Sequence, residues 1–267
     1  MALLEKISLK AATRFALYLF YRPIKFPVPE REKAIRESAT RHNLSTGKSD
    51  FTYYEWGSAW APKKVLLVHG WSGRGTQFHK IIKTLIHKGY YVGTIDAPGH
   101  GENSQKHTDM LEFTDAINVI EKQFGPFDYA VGHSLGGMAI FNALLSNLQV
   151  GKIVTIGTPD NISHVVRDFC SKVNASHRVA EGILKYIEKH YKMKPEEAST
   201  DYLATKFNPA GLIIHDENDQ DVGVENALEL AKHWPNANLI VTQGLGHRKV
   251  LMEQKIIDAI IGFLPLS

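Results

Sequence analysis

The 267-residue sequence predicts an α/β fold in which a mostly parallel central sheet carries helices on both faces and a helical cap is inserted between two strands. Three observations carry that expectation. Short runs rich in Val, Ile and Leu alternate with segments of helical periodicity, as strands buried on both faces by crossover helices require. A charged, strand-poor stretch from Thr158 to about Pro209 interrupts the alternation with helical patterning alone. Between one such run and the helix after it lies Gly132-His133-Ser134-Leu135-Gly136-Gly137, a sharp strand-to-helix turn with a serine at its apex.

The N-terminal segment comes first in chain order. Leu3, Ile7, Ala11, Phe15 and Leu19 recur at helical spacing, with Lys6, Lys10 and Arg14 as a bordering stripe. The pattern reads first as a helix packed on its own chain or on a second subunit, and second as a peripheral membrane contact through residues 1–21. Phe15 to Tyr21 is too short to span a bilayer and lacks the cleavage site of a secretory signal. After a join marked by Pro23, Pro27 and Pro29, strands are expected at Phe51 to Trp56, Lys64 to Val68 and Tyr91 to Asp96. A helix is expected at Ile81 to Lys88, and another at Met110 to Phe124 after the loop Ala97 to Asn103. Tyr129-Ala130-Val131 leads into the serine turn, followed by a helix with Met138 to Phe141 and Ala143 to Leu145 on its apolar face. Strands at Ile153 to Ile156, Leu212 to His215 and Leu239 to Val241 follow, with helices at Glu225 to His233 and Val250 to Phe263. The organisation is therefore an N-terminal amphipathic helix and linker (1–33), a core (34–158 plus 210–267) and a helical cap (159–209).

Composition narrows the function classes. With 43% hydrophobic residues the chain has ample material for a core, and a formal charge of +3 gives no reason to invoke nucleic acid. Cys170 stands alone, which removes any internal disulfide and suits a reducing cytoplasm. The lone cysteine also removes thiolate metal sites, and His42, His79, His87 and His107 form no ligand pattern, so neither metal nor cofactor is expected.

A serine hydroxyl needs a base to take its proton and a third group to orient that base. Of the 13 histidines, His247 stands out in Gln243-Gly244-Leu245-Gly246-His247, a glycine-rich loop between the last strand and the last helix. Loops at the carboxyl ends of parallel strands are where such sheets build sites. Asp216, Asp219 and Asp221 follow an earlier strand and supply three candidate acids, of which one can face the imidazole. The loop His69-Gly70-Trp71-Ser72-Gly73 follows an early strand. The backbone amides of Trp71 and Leu135 are the expected oxyanion donors, on the order of 3 kcal/mol each in comparable sites. Trp71 and Phe141 are the expected substrate contacts.

With these motifs in order, the sequence from about residue 51 onward resembles the α/β-hydrolase superfamily: HGWSG, IDAPGHGENS, GHSLGG, then acid and base. The resemblance implies Ser134 as nucleophile, Asp219 as orienting acid and His247 as base. By the same spacing Asp216 closes a turn, Asp221 is the second candidate acid, and Asp96 and His100 build a turn. The implied activity is a cofactor-free serine carboxylesterase acting on a small hydrophobic ester through an acyl-enzyme. A thioesterase, a monoacylglycerol-lipase-like enzyme and a non-catalytic small-molecule-binding member are the alternatives. Relatives with an aspartate nucleophile, the haloalkane dehalogenases and epoxide hydrolases, are excluded by Ser134.

Overall fold

A computed structural model describes residues 1–146 and 148–266. Two short helices open the chain, α1 (Ala2–Ile7) and α2 (Leu9–Phe20), followed by α3 (Glu30–Glu37), β1 (Thr40–Ser45), β2 (Asp50–Trp56), β3 (Lys64–Val68), α4 (His79–His87) and β4 (Tyr91–Asp96). Next come α5 (Met110–Phe124), β5 (Tyr129–His133), α6 (Leu135–Ala143), β6 (Lys152–Ile156), α7 (Ile162–Lys172), α8 (His177–Tyr191) and α9 (Thr200–Phe207). The chain closes with β7 (Ala210–Asp216), α10 (Glu225–His233), β8 (Ala237–Thr242), α11 (Gly246–Lys249) and α12 (Gln254–Phe263).

The eight strands lie in the order β1-β2-β4-β3-β5-β6-β7-β8. From β4 to β8 every pairing is parallel, whereas β2 runs antiparallel to both β1 and β4. β1 was not anticipated. Its sequence, Thr-Arg-His-Asn-Leu-Ser, has one apolar residue because it forms the sheet edge and buries no full face. One core layer packs Phe113, Ile117, Phe141, Leu230 and Trp234 against the sheet. The other packs Ile81, Ile82, Leu85, Ile257 and Ile260 against the opposite face. The inserted α9 adds Leu203 and Ala204 to the first layer.

α1, α2, α7 and α8 share a third apolar cluster around Ala12, Ala16, Val166, Val179, Ala180 and Ile183. The buried face of α2 therefore differs from the stripe expected at Leu3, Ile7, Ala11, Phe15 and Leu19, since Leu3, Ile7 and Phe15 are exposed. The cause is local. Ser8 is extended and its Oγ accepts the Ala11 amide, so α1 ends and α2 begins with a new phase. Two alanines one turn apart then let α2 approach α8 closely. A Cβ added at Gly182 would lie 2.8 Å from the Thr13 side chain. The expected single helix at Val250 to Phe263 is likewise broken, into a 3-10 turn at Val250–Met252 and α12.

Candidate functional site

Ser134 sits at the end of β5, where the chain turns into α6 with φ 52° and ψ −124°. No L-residue favours this conformation, and the surroundings hold it in place. The Ser134 amide donates to Ile156 O at 2.9 Å, extending the β5–β6 ladder one residue past the strand. On the inside of the bend, a Cβ at Gly132 would run into Gly137, and one at Gly136 into the Val68 carbonyl, so neither position has room for a side chain. Gly70 is equally close, since a Cβ there would stand 2.7 Å from the Ser134 Cβ.

The loops after β7 and β8 bring His247 and Asp219 together. His247 Nδ1 lies 2.7 Å from Asp219 Oδ2, the carboxylate being 1% exposed and the imidazole 11%. Asp219 Oδ1 accepts the amides of Asp221 (2.8 Å) and Val222 (2.9 Å). Burial opposes ionisation of this carboxyl, but the His247 contact and the two amides outweigh it and hold its pKa below the ordinary value. With Asp219 ionised, Nδ1 carries the proton of this bond and Nε2 is left free to accept one. Gly157, at φ 57°, passes beside the pair; a Cβ there would come within 3.2 Å of His247 Nδ1 and 3.3 Å of Asp219 Oδ2.

The other two aspartates of that loop do different work. Asp216 accepts the amides of Gly246 (2.8 Å), Leu245 (3.0 Å) and Asn218 (3.1 Å) and the Thr242 hydroxyl (2.7 Å), tying the acid loop to the histidine loop. Asp221 is half-exposed and faces Lys172 Nζ at 3.6 Å. His215 donates from Nε2 to Val222 O at 2.8 Å and holds the far end of the acid loop.

Three further buried histidines organise the loops around Ser134, each with one ring nitrogen donating and the other accepting. His69 donates from Nδ1 to Gly70 O (2.7 Å) and accepts the Ala97 amide (3.1 Å). His100 donates to Pro98 O (3.0 Å) and accepts the Ser72 amide (2.9 Å). Asp96 accepts the Gly75 amide at 2.8 Å and the Tyr54 hydroxyl at 3.1 Å. His133 escaped the sequence reading. Its Nε2 donates to the His247 carbonyl at 2.8 Å and its Nδ1 accepts from Gln77 Nε2 at 3.2 Å, with the two imidazole rings 4.5 Å apart. Burial, followed by the neighbouring His247, pushes the His133 pKa down to about 3, so the ring is neutral and its donor is permanently available. Its position beside Ser134 was visible in the sequence, but its partner lies 114 residues away and no local signal announces it.

Ser134 and His247 open into one cavity of about 350 Å³. Trp71 and Leu135 are in its wall, and among the described residues neither backbone amide has a partner in the protein. Apolar wall comes from Leu19 and Phe20 of α2, Met138 of α6, Ile162 and Phe169 of α7, and Ile187 of α8. Phe141 is not part of it. Six residues beyond Leu135, roughly 9 Å along α6, it is fully buried and packs edge-to-face on Trp234 at 4.9 Å. Among the described residues no group of three His, Cys, Asp or Glu side chains is placed to hold a metal ion.

A model of the alpha/beta hydrolase fold family matches residues 63–177, from β3 through the serine turn to the start of α8. The chain has the α/β-hydrolase fold. The chain is 23% identical to a non-heme haloperoxidase of Rhodococcus erythropolis over 260 residues, spanning 79% of the chain and 94% of that protein. Among solved structures it resembles a Pyrococcus furiosus esterase (TM-score 0.66, 15% identity, 91% of this chain and 96% of that one). It also resembles a putative lipase from Acinetobacter baumannii (TM-score 0.65, 18% identity, 90% and 97%). Likeness at these identities establishes the fold alone.

Proposed function

We propose that this α/β-hydrolase is a serine carboxylesterase that cleaves small hydrophobic esters through an acyl-enzyme. The observation that carries the reading is the 2.7 Å His247–Asp219 contact in the same cavity as a serine on a strained turn. In the proposed reaction Ser134 Oγ attacks the ester carbonyl while His247 Nε2 takes its proton. Asp219 keeps the imidazole in the Nδ1–H tautomer and stabilises its charged form without taking the proton. The carbonyl oxygen becomes an oxyanion, for which the unpartnered Trp71 and Leu135 amides are the donors. Collapse of the tetrahedral intermediate breaks the bond to the alkoxy oxygen, which leaves with the proton held on His247. Water then repeats the sequence on the acyl-enzyme and frees Ser134. The apolar wall from α2, α7 and α8 favours a hydrocarbon acyl or alcohol group over a charged one.

A serine-directed fluorophosphonate tests the reaction class. The expected result is a single covalent adduct on Ser134 that is lost in Ser134→Ala and slowed in His247→Ala. Absence of an adduct on folded protein would leave a binding protein rather than an enzyme. A panel of p-nitrophenyl esters, acyl thioesters and aminoacyl amides then ranks substrates, with the esters expected to be turned over fastest.

A further inference from the structure

The outer face of α1 and α2 has no role in the chemistry above, yet its composition is unusual. Among the described residues thirteen large hydrophobic side chains are exposed, and six of them fall in the first 26 residues: Leu3, Ile7, Phe15, Tyr18, Ile24 and Phe26. Their exposure does not come from a loose end. α2 is fastened to α8 by the fully buried Ala12 and Ala16, and Glu5 Oε1 accepts the Ser176 amide at 2.8 Å. The inward face of the helix pair is thus occupied; Leu3, Ile7, Phe15 and Tyr18 lie on what remains, and Ile24 and Phe26 lie in the segment that follows α2.

Charge singles out the same segment. The first 25 residues hold five basic side chains and one acidic, whereas the other 242 hold 26 basic and 27 acidic, so the chain's positive excess resides here. Lys6, Lys10 and Arg14 are exposed, and the last two share α2 with the Phe15–Tyr18 ring pair, whose centroids are 6.5 Å apart. An exposed apolar stripe edged by cations matches the boundary between headgroups and acyl chains of an anionic bilayer. A second copy of this chain fits less well, because an isologous contact would set this positive segment against itself. Nucleic acid would satisfy the cations and leave the apolar side chains in water.

We infer that the outer face of α1 and α2 is a docking surface for an anionic lipid bilayer. Docking there has a geometric consequence, because the last turn of α2 and the next residue, Leu19, Phe20 and Tyr21, line the cavity that holds Ser134 and His247. The lipid surface would then lie along the helix whose end forms the cavity wall. The inference concerns adsorption and stands apart from the hydrolytic reading.

Co-sedimentation of the full-length protein with vesicles of phosphatidylcholine, alone or mixed with phosphatidylglycerol, tests it at low and high salt. The wild type is expected to sediment with the anionic vesicles and not with the neutral ones, and to be partly released by salt. The Lys6→Glu/Lys10→Glu/Arg14→Glu variant should bind at least about tenfold more weakly. Ile7→Ser/Phe15→Ser should lose the salt-resistant fraction. Both should keep the wild-type melting temperature and the wild-type rate on a short soluble ester. The inference is overturned if the wild type stays in the supernatant with anionic vesicles, if the charge-reversed variant sediments equally, or if light scattering shows a dimer that the variants abolish. The wild-type comparison across vesicles needs no variant to fold. Loss of ester turnover in the wild type would count against the proposed hydrolysis and leave the sedimentation result standing.

Discussion

At the scale of single residues, the choice between Asp219 and Asp221 shows what geometry adds to spacing. Both follow β7 within a few positions, and periodicity cannot separate them because the loop that bears them is irregular. In space they diverge: Asp219 is buried against His247, while Asp221 points to solvent and Lys172. Asp219→Asn is therefore expected to lower kcat by about 10³ to 10⁴, and Asp221→Asn to change it by less than about twofold. Steady-state kinetics on one ester decides this, and the reverse ranking would move the acid. The serine turn and the glycine-rich histidine loop were legible because each needs special backbone at fixed positions. Phe141 was misplaced because adjacency to the elbow in sequence ignores the direction in which α6 runs. His133 was unreadable because its function depends on a carbonyl far along the chain. Its bond to the His247 backbone makes it a positioning residue, and His133→Leu should lower kcat roughly tenfold with KM little changed. The acid limb of the kcat pH profile should stay where it was, since a ring neutral above pH of about 3 does not titrate in that range. A shifted limb would show that His133 takes part in proton transfer.

At the scale of elements, the N-terminal helices link packing to the cavity. Their amphipathic character was visible in the sequence, but the buried stripe was assigned to the wrong phase because Ser8 restarts the helix. Small residues at Ala12, Ala16 and Gly182 set the α2–α8 distance, and the same α2 carries cavity wall in its last turn. Enlarging Ala16 overpacks this contact. Ala16→Leu should cost about 1–3 kcal/mol and, by displacing Leu19 and Phe20, raise KM for long acyl esters more than for acetate esters. Thermal melts together with KM across an acyl series check both halves. A lower melting temperature with a uniform change in KM would separate the helix from acyl recognition. A related strain attaches to Gly157, where φ is 57° and the His247–Asp219 pair stands a Cβ contact away. Gly157→Ala should lower kcat with a melting-temperature loss of a few degrees, whereas unchanged kcat would mean that the pair tolerates crowding from this side.

At the scale of the whole molecule, the alternation of apolar runs and helical segments was enough to read the parallel sheet from β3 to β8, because β3 to β7 are buried on both faces and their composition says so, and the half-exposed edge strand β8 still carries the apolar run Leu239 to Val241. The edge strand β1 was not legible for the opposite reason, being largely solvated and polar. What the sequence could not announce is how many ionisable groups the fold would bury in one polarity. His69, His100 and His133 are all buried, each with one nitrogen accepting a donor that a protonated ring would repel. Burial drives all three below the ordinary histidine value, His100 to about 4 and His133 to about 3, with His69 well below. The folded rings thus stay neutral at pH values where the unfolded chain, titrating near 6.5, binds protons. Because the unfolded state then holds more protons, stability is full above about pH 6.5 and is lost as pH falls toward the folded values. Each fully separated group contributes about 1.4 kcal/mol per pH unit, so three together amount to about 4 kcal/mol between pH 6 and pH 5. Asp96, whose carboxyl burial raises, acts with the opposite sign as pH falls toward the ordinary aspartate value. A loss of about 4 kcal/mol corresponds to a melting temperature lower by roughly 8–16 °C in a chain of this size. Calorimetry from pH 7 to pH 5 should show that fall. His133→Gln, which keeps a polar side chain and removes one titration, should make the slope about a third shallower. A melting temperature that stays level over this range would mean that the rings accept protons without unfolding and that the loops around Ser134 do not depend on their neutrality.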